Sequence, residues 1–170
     1  MGLIKEKTSL SEASVDNAAM TYDRSKAETD APAISVTICG SFRRGQDQLH
    51  QAHQELLDHG CIILSPKALH WVAETEGFVF AEHELHSTPA EVEERHLKTI
   101  DEADMIWLHN PDGHLGISAA VEIGYAHAVG TPVFSQRPLH HQPGLAGLIK
   151  VVSSPAAAVQ TIQKALPEER

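Results

Sequence analysis

Two periods of apolar spacing run through this chain. Ile34-Ser35-Val36-Thr37-Ile38-Cys39 is a β-branched run that predicts a strand ending at Gly40. Leu49, Ala52, His53, Leu56 and Leu57 then recur at helical spacing, with Gly60 as the C-terminal stop. Cys61-Ile62-Ile63-Leu64 predicts a short buried strand, closed by Ser65-Pro66. Residues 67–87 have no clear period, so an irregular segment with Trp71, Phe78 and Phe80 is expected to cover the site. Thr88-Pro89-Ala90-Glu91 combines an N-cap Thr, a first-turn Pro and a Glu three residues after the cap, so a helix should run to about Glu102.

Met105-Ile106-Trp107-Leu108 predicts the third strand, and residues 118–129 a helix ended by Gly130. Pro132-Val133-Phe134 starts a fourth strand, and Leu148–Val152 makes a fifth. Residues 155–166 form a closing helix with Ala158, Val159, Ile162 and Leu166 on one stripe. Residues 1–31 are polar and weakly periodic, a flexible N-terminal tail; residues 32–170 form one domain. Alternating strands and helices imply a parallel sheet covered on both faces. The expected fold is a three-layer α/β fold, Rossmann-like or flavodoxin-like, with a sheet of four to five strands.

Composition narrows the functions. A length of 170 residues with 42% hydrophobic content suits one domain with a real core. The net charge of −10 argues against a nucleic-acid polymer as partner. No apolar run approaches the ~18 residues of a membrane span. The first residues lack the apolar core of a signal peptide, so a cytoplasmic location is expected. Cys39 and Cys61 read as buried thiols of a reducing compartment. Of the histidines, His83 and His86 are three apart and His140 and His141 adjacent. Neither spacing suits a common metal chelate, so no metal is expected.

Three segments carry chemistry. Gly40-Ser41-Phe42-Arg43-Arg44-Gly45 joins the first strand to the first helix. It is either a tight turn with solvated arginines or an anion cradle of backbone N–H groups, the Ser41 hydroxyl and the Arg43 guanidinium. Glu122 falls near the start of its helix, at the mouth of an open α/β sheet where such folds bind ligands. It is either a charge that suits the helix dipole or a catalytic carboxylate, kept ionised by dipole and backbone N–H groups. Val121, Tyr125 and Ala128 are expected on the stripe that packs on the sheet, with Glu122 one step round. Val92, His96 and Ile100 share a face, so His96 is either a core-edge histidine or an acid/base group.

Together these residues resemble the nucleoside 2-deoxyribosyltransferase-like superfamily, which includes 2′-deoxynucleoside 5′-phosphate N-hydrolases. The resemblance spans roughly residues 34–135: GSFR after the first strand, Ala103-Asp104 before the third, EIGYA in the Glu122 helix, then Gly130-Thr131-Pro132. It implies that Glu122 attacks C1′ of the sugar to form a glycosyl-enzyme ester, resolved by water or a second base. It also implies that Gly40, Ser41, Phe42 and Arg43 hold a 5′-phosphate, that no cofactor is used, and that the protein is a homo-oligomer acting on a small nucleotide or nucleoside.

Two positions depart from the pattern. His96 stands where the family has an aspartate that assists protonation of the leaving base, and Ser118 stands where glycine is frequent. Ser118 is free to cap the helix or to contact phosphate. Asn110 and Asp112 either bind sugar hydroxyls or form an Asx turn. The substitution at His96 leaves a non-catalytic nucleotide-binding domain as the alternative. A cytokinin-type phosphoribohydrolase would need PGGxGTxxE, where this chain has GISAAVE, and a dehydrogenase would need GxGxxG.

Overall fold

The β-branched run forms strand β1 (Ser35–Gly40) in this computed structural model, which describes residues 33–75 and 78–165. The expected tail over 1–31, the domain start at residue 32 and Leu166 lie outside the described residues. β1 is buried on both faces, as a central parallel strand must be. Val36 and Ile38 enter one apolar cluster with Leu49 and Leu56 of α1 (Gln46–Asp58) and Val159 of α5 (Pro155–Ala165). Cys39 faces the other way, into a cluster with Ile100 of α2 (Pro89–Glu102) and Ile123 of α3 (Ile117–Val129).

The remaining sheet strands are β2 (Ile62–Ser65), β5 (Met105–His109), β6 (Val133–Ser135) and β7 (Ile149–Val151). Their order is β2-β1-β5-β6-β7, every pair parallel. This is the flavodoxin-like order, which reverses direction between β1 and β5. The expected α/β class and five parallel strands are thus the observed ones.

Two motifs of the resemblance fasten this frame at the far end from that reversal. Asp104 Oδ2 accepts from Ser35 N and Ser35 Oγ, each at 2.7 Å, and ties β5 to β1. Thr131 Oγ1 donates to Ile100 O at 2.9 Å and ties the start of β6 to α2.

Several expectations need correction. The strand at 62–65 is not buried: it is an edge strand paired on one side to β1, and Ile62 is 53% exposed. Residues 67–87 are not irregular throughout. β3 (Trp71–Thr75) and β4 (Phe78–Ala81) pair antiparallel, and a single 3-10 turn (Glu82–Glu84) follows. A short helix, α4 (Pro143–Ala146), had no periodic signal because it is one turn long.

The phase of α3 also differs. Ala119, Glu122, Ile123 and Ala126 pack inward, while Val121 and Ala128 are exposed and Tyr125 is half-buried. α3 is apolar on nearly every side, so its sequence does not define an inner face; docking on the sheet does. Among the described residues no helix is long and apolar enough to cross a membrane.

Candidate active site

At the reversal point the chain leaves β1 through Gly40, whose φ is 116°. A Cβ there would run into the carbonyl oxygen of His109 on the neighbouring strand, so only glycine permits this turn. Ser41 N donates to that carbonyl at 3.0 Å, and His109 Nε2 lies 2.8 Å from Arg44 O. The GSFRRG loop is thereby clamped to the end of β5. Gly45, left-handed at φ 58°, precedes α1 and leaves its first turn without a side-chain cap.

α2 is placed by the predicted capping box. Glu91 N donates to Thr88 Oγ1 at 3.3 Å, and Thr88 N donates to Glu91 Oε2 at 2.7 Å. Val92, His96 and Ile100 form its buried face, as their spacing predicts. α3 starts at Gly116, again without a side-chain cap. Ser118 sits inside the first turn rather than at the cap, and Glu122 follows one turn later.

These ends enclose a cavity of about 660 Å³. Gly40, Ser41, Phe42 and Arg43 line it from the loop, and Glu93 and His96 from α2. Ser118 and Glu122 line it from α3, and Trp71 and Phe78 from the hairpin. The expectation that residues 67–87 cover the site therefore holds in place, though as a hairpin. Phe42 stacks on Trp71 with ring centroids 5.2 Å apart. Arg43 Nη1 is 3.2 Å from Glu74 Oε1, an exposed pair worth under about 1 kcal/mol that yields easily to another anion.

Asn110 and Asp112 are not brought to this cavity. They line a separate hollow of about 60 Å³. Asn110 Nδ2 donates to Arg137 O at 2.7 Å, and Asp112 is left-handed at φ 55° inside the turn Pro111–Gly113. Their geometry is that of a turn.

Glu122 is 4% exposed, and its Oε2 has no hydrogen-bond partner. Burial, with the Glu93 charge second, pushes its pKa from 4.5 up to about 8; the Cys39 thiol and the Gly40 amide pull the other way. The expectation of an ionised carboxylate is corrected here. A helix N-terminus favours the ion by about 0.3–1 kcal/mol, and desolvation at this depth costs several times that.

His96 is also buried, which pulls its pKa from 6.5 down to about 4. Its Nδ1 lies 2.7 Å from Ser65 Oγ and its Nε2 3.4 Å from Cys39 Sγ. The same Nε2 is 3.8 Å from Glu122 Oε1. Burial neutralises both partners at pH 7, so this contact is not an ion pair there. The thiol of Cys39 is held well above its usual range by burial and by Glu122, and Glu93 is raised by burial.

Sequence reasoning missed Cys39, Ser65 and Glu93. Glu93 had a signal, three residues before His96 and so beside it on α2. Cys39 and Ser65 had none, because strand pairing and helix docking bring them to His96. The histidine pairs weighed for metal stay apart from the cavity. Among the described residues, the three side chains grouped closely enough to hold a cation are Cys39, His96 and Glu122.

No family model matches this chain, and no curated protein matches it. Solved structures do. A conserved protein from Enterococcus faecalis V583 aligns with a TM-score of 0.52 at 15% identity, over 79% of this chain and 100% of its own. The chain shares its fold. The CMP N-glycosidase BcmB from Clostridium botulinum aligns at 0.44 and 13% identity, over 78% of this chain and 99% of its own. A 2-desoxiribosyltransferase from Leishmania mexicana aligns at 0.46 and 18% identity, over 79% and 100%. At these identities the likeness concerns the fold, and chemistry has to be argued from the cavity.

Proposed function

We propose that the protein is an enzyme that breaks the N-glycosidic bond of a nucleoside 5′-monophosphate, with Glu122 as nucleophile. One observation carries this reading. Glu122 presents a buried carboxyl, one oxygen unpartnered, to the same cavity that receives the GSFR loop. The carboxyl and the loop's backbone N–H groups and Arg43 thus line one space of substrate size, which supports the reading. Gly40, Ser41, Phe42 and Arg43 take the phosphate end, joined by Ser118, which lines the cavity and is not used as a cap.

Glu122 and His96 share one proton, held on Glu122 in the resting protein. Its transfer to Nε2 of His96 creates the nucleophile and the acid together. The two pKa values, about 8 and about 4, set the cost near 5 kcal/mol. Attraction between the resulting ions at 3.8 Å, at an effective dielectric of about 20, offsets about 4 kcal/mol of that. The carboxylate then attacks C1′ and the C1′–N bond breaks. The base leaves with the His96 proton, and a glycosyl ester remains on Glu122. Water attacks C1′ and releases the sugar phosphate, and its proton returns to the pair. A second base in place of water gives transfer.

The test is chromatography of ribo- and deoxyribonucleoside monophosphates incubated with wild type and with Glu122→Ala, with and without a second base. Base release by the wild type alone supports the reading, and exchange marks a transferase. Release by both proteins removes Glu122 as nucleophile. Arg43→Ala should raise KM for the monophosphate and leave the free nucleoside unchanged. The alternative is nucleotide binding without chemistry, favoured by His96 in place of the family's aspartate. It predicts Arg43-dependent binding and no product from any substrate.

A further inference from the structure

We propose that Cys39, His96 and Glu122 form a binding site for one zinc-like divalent cation, reached through the cavity. The three side chains come from β1, α2 and α3 and are all buried. Cys39 Sγ is 3.4 Å from His96 Nε2, and that nitrogen is 3.8 Å from Glu122 Oε1. All three donor atoms lie within 4.8 Å of one another. Tetrahedral zinc, with bonds of about 2.3 Å to sulfur and about 2.0 Å to nitrogen and oxygen, has S···N and N···O edges of about 3.5 and 3.3 Å. The sulfur–nitrogen pair already has that spacing, and Glu122 Oε1 has to close on that nitrogen by roughly half an ångström.

Three further features fit a cation. Glu122 Oε2 is buried with no hydrogen-bond partner, so the site lacks a counterpart for a strong acceptor. Ser65 Oγ lies 2.7 Å from His96 Nδ1, the outer contact that orients a ligating imidazole and leaves Nε2 for the metal. Thiolate, carboxylate and a dication sum to zero charge, which removes the penalty of burying either anion alone.

The donor set selects the metal class. Sulfur and imidazole disfavour magnesium and calcium and suit zinc or cobalt. His96 and Glu122 line the cavity while Cys39 is fully buried behind them, so the fourth position of the cation faces the cavity. The site does not depend on the glycosidic reading. If that reading holds, a bound cation occupies the Glu122 carboxylate, and metal and turnover exclude each other.

Cobalt(II) is the probe, titrated into the full chain after chelator treatment and followed by absorption. The expected result is one cobalt per chain, with an intense sulfur-to-cobalt charge-transfer band and the visible bands of a tetrahedral site. Zinc should displace both. Cys39→Ser and His96→Asn should each lose the charge-transfer band, with folding checked by circular dichroism; one folded variant is sufficient. Ser65→Ala should keep the band and weaken affinity about 10- to 100-fold. Absence of the band from the wild type at saturating cobalt overturns the proposal. So does a band that persists in folded Cys39→Ser, which would assign the sulfur to Cys61, or in folded His96→Asn, which would remove the imidazole as a ligand. Binding without a thiolate band, as exposed histidines would give, means an adventitious ion only.

Discussion

Replacing Glu122 with glutamine should make the protein more stable as pH rises, by an amount fixed by burial. The folded pKa is about 8 and the ordinary value 4.5. Between those values the folded chain holds a proton that the unfolded chain has lost, so wild-type stability falls as pH rises through this window. Integrated, the penalty is about 1 kcal/mol at pH 5 and about 4 kcal/mol at pH 8. Glutamine has nearly the same shape and does not titrate.

His96 acts in the opposite sense. Its folded pKa of about 4 lies below the ordinary 6.5, so stability rises with pH between those values. Glu122 stays protonated below about pH 8, so His96 faces a neutral neighbour in both proteins and contributes nearly equally to each. The assay is urea unfolding of wild type and Glu122→Gln at pH 5, 6, 7 and 8 with a chelator present, read by tryptophan fluorescence. The variant should gain roughly 3–4 kcal/mol on the wild type between the ends of that series. A difference that stays flat would refute the claim that desolvation governs this carboxyl.

Three more outcomes follow from the same geometry. The pH profile of kcat/KM should be bell-shaped, with limbs near 4 and 8 set by the Glu122–His96 pair; in His96→Asn the alkaline limb should invert, because only ionisation of Glu122 remains. Thr88→Ala should cost about 1 kcal/mol in urea unfolding, since it removes the Oγ1 that accepts from Glu91 N, while the bond from Thr88 N to Glu91 Oε2 remains. Gly40→Ala should cost more than about 3 kcal/mol or prevent folding, because strain and the His109 carbonyl act together, whereas Gly60→Ala, left-handed but facing open space, should cost about 1 kcal/mol.

The sequence by itself determined what short-range interactions determine. The capping box at Thr88 and Glu91, the stop at Gly130 and the β-branched run into Gly40 each act within a few residues, and each has its expected structure. The inward face of α2 was legible because its polar and apolar positions differ. α3 offers no such contrast, and the sheet it docks on chose Glu122 for the inner face.

The antiparallel pairing of β3 with β4 escaped because pairing, not periodicity, defines it. The charge state of Glu122 escaped for a related reason: the helix dipole is local, while the desolvation that outweighs it comes from β1 and α2. The meeting of Cys39, Ser65, His96 and Glu122 is likewise a product of strand order. Only after β1 takes its place between β2 and β5 do residues far apart in the chain come within bonding distance.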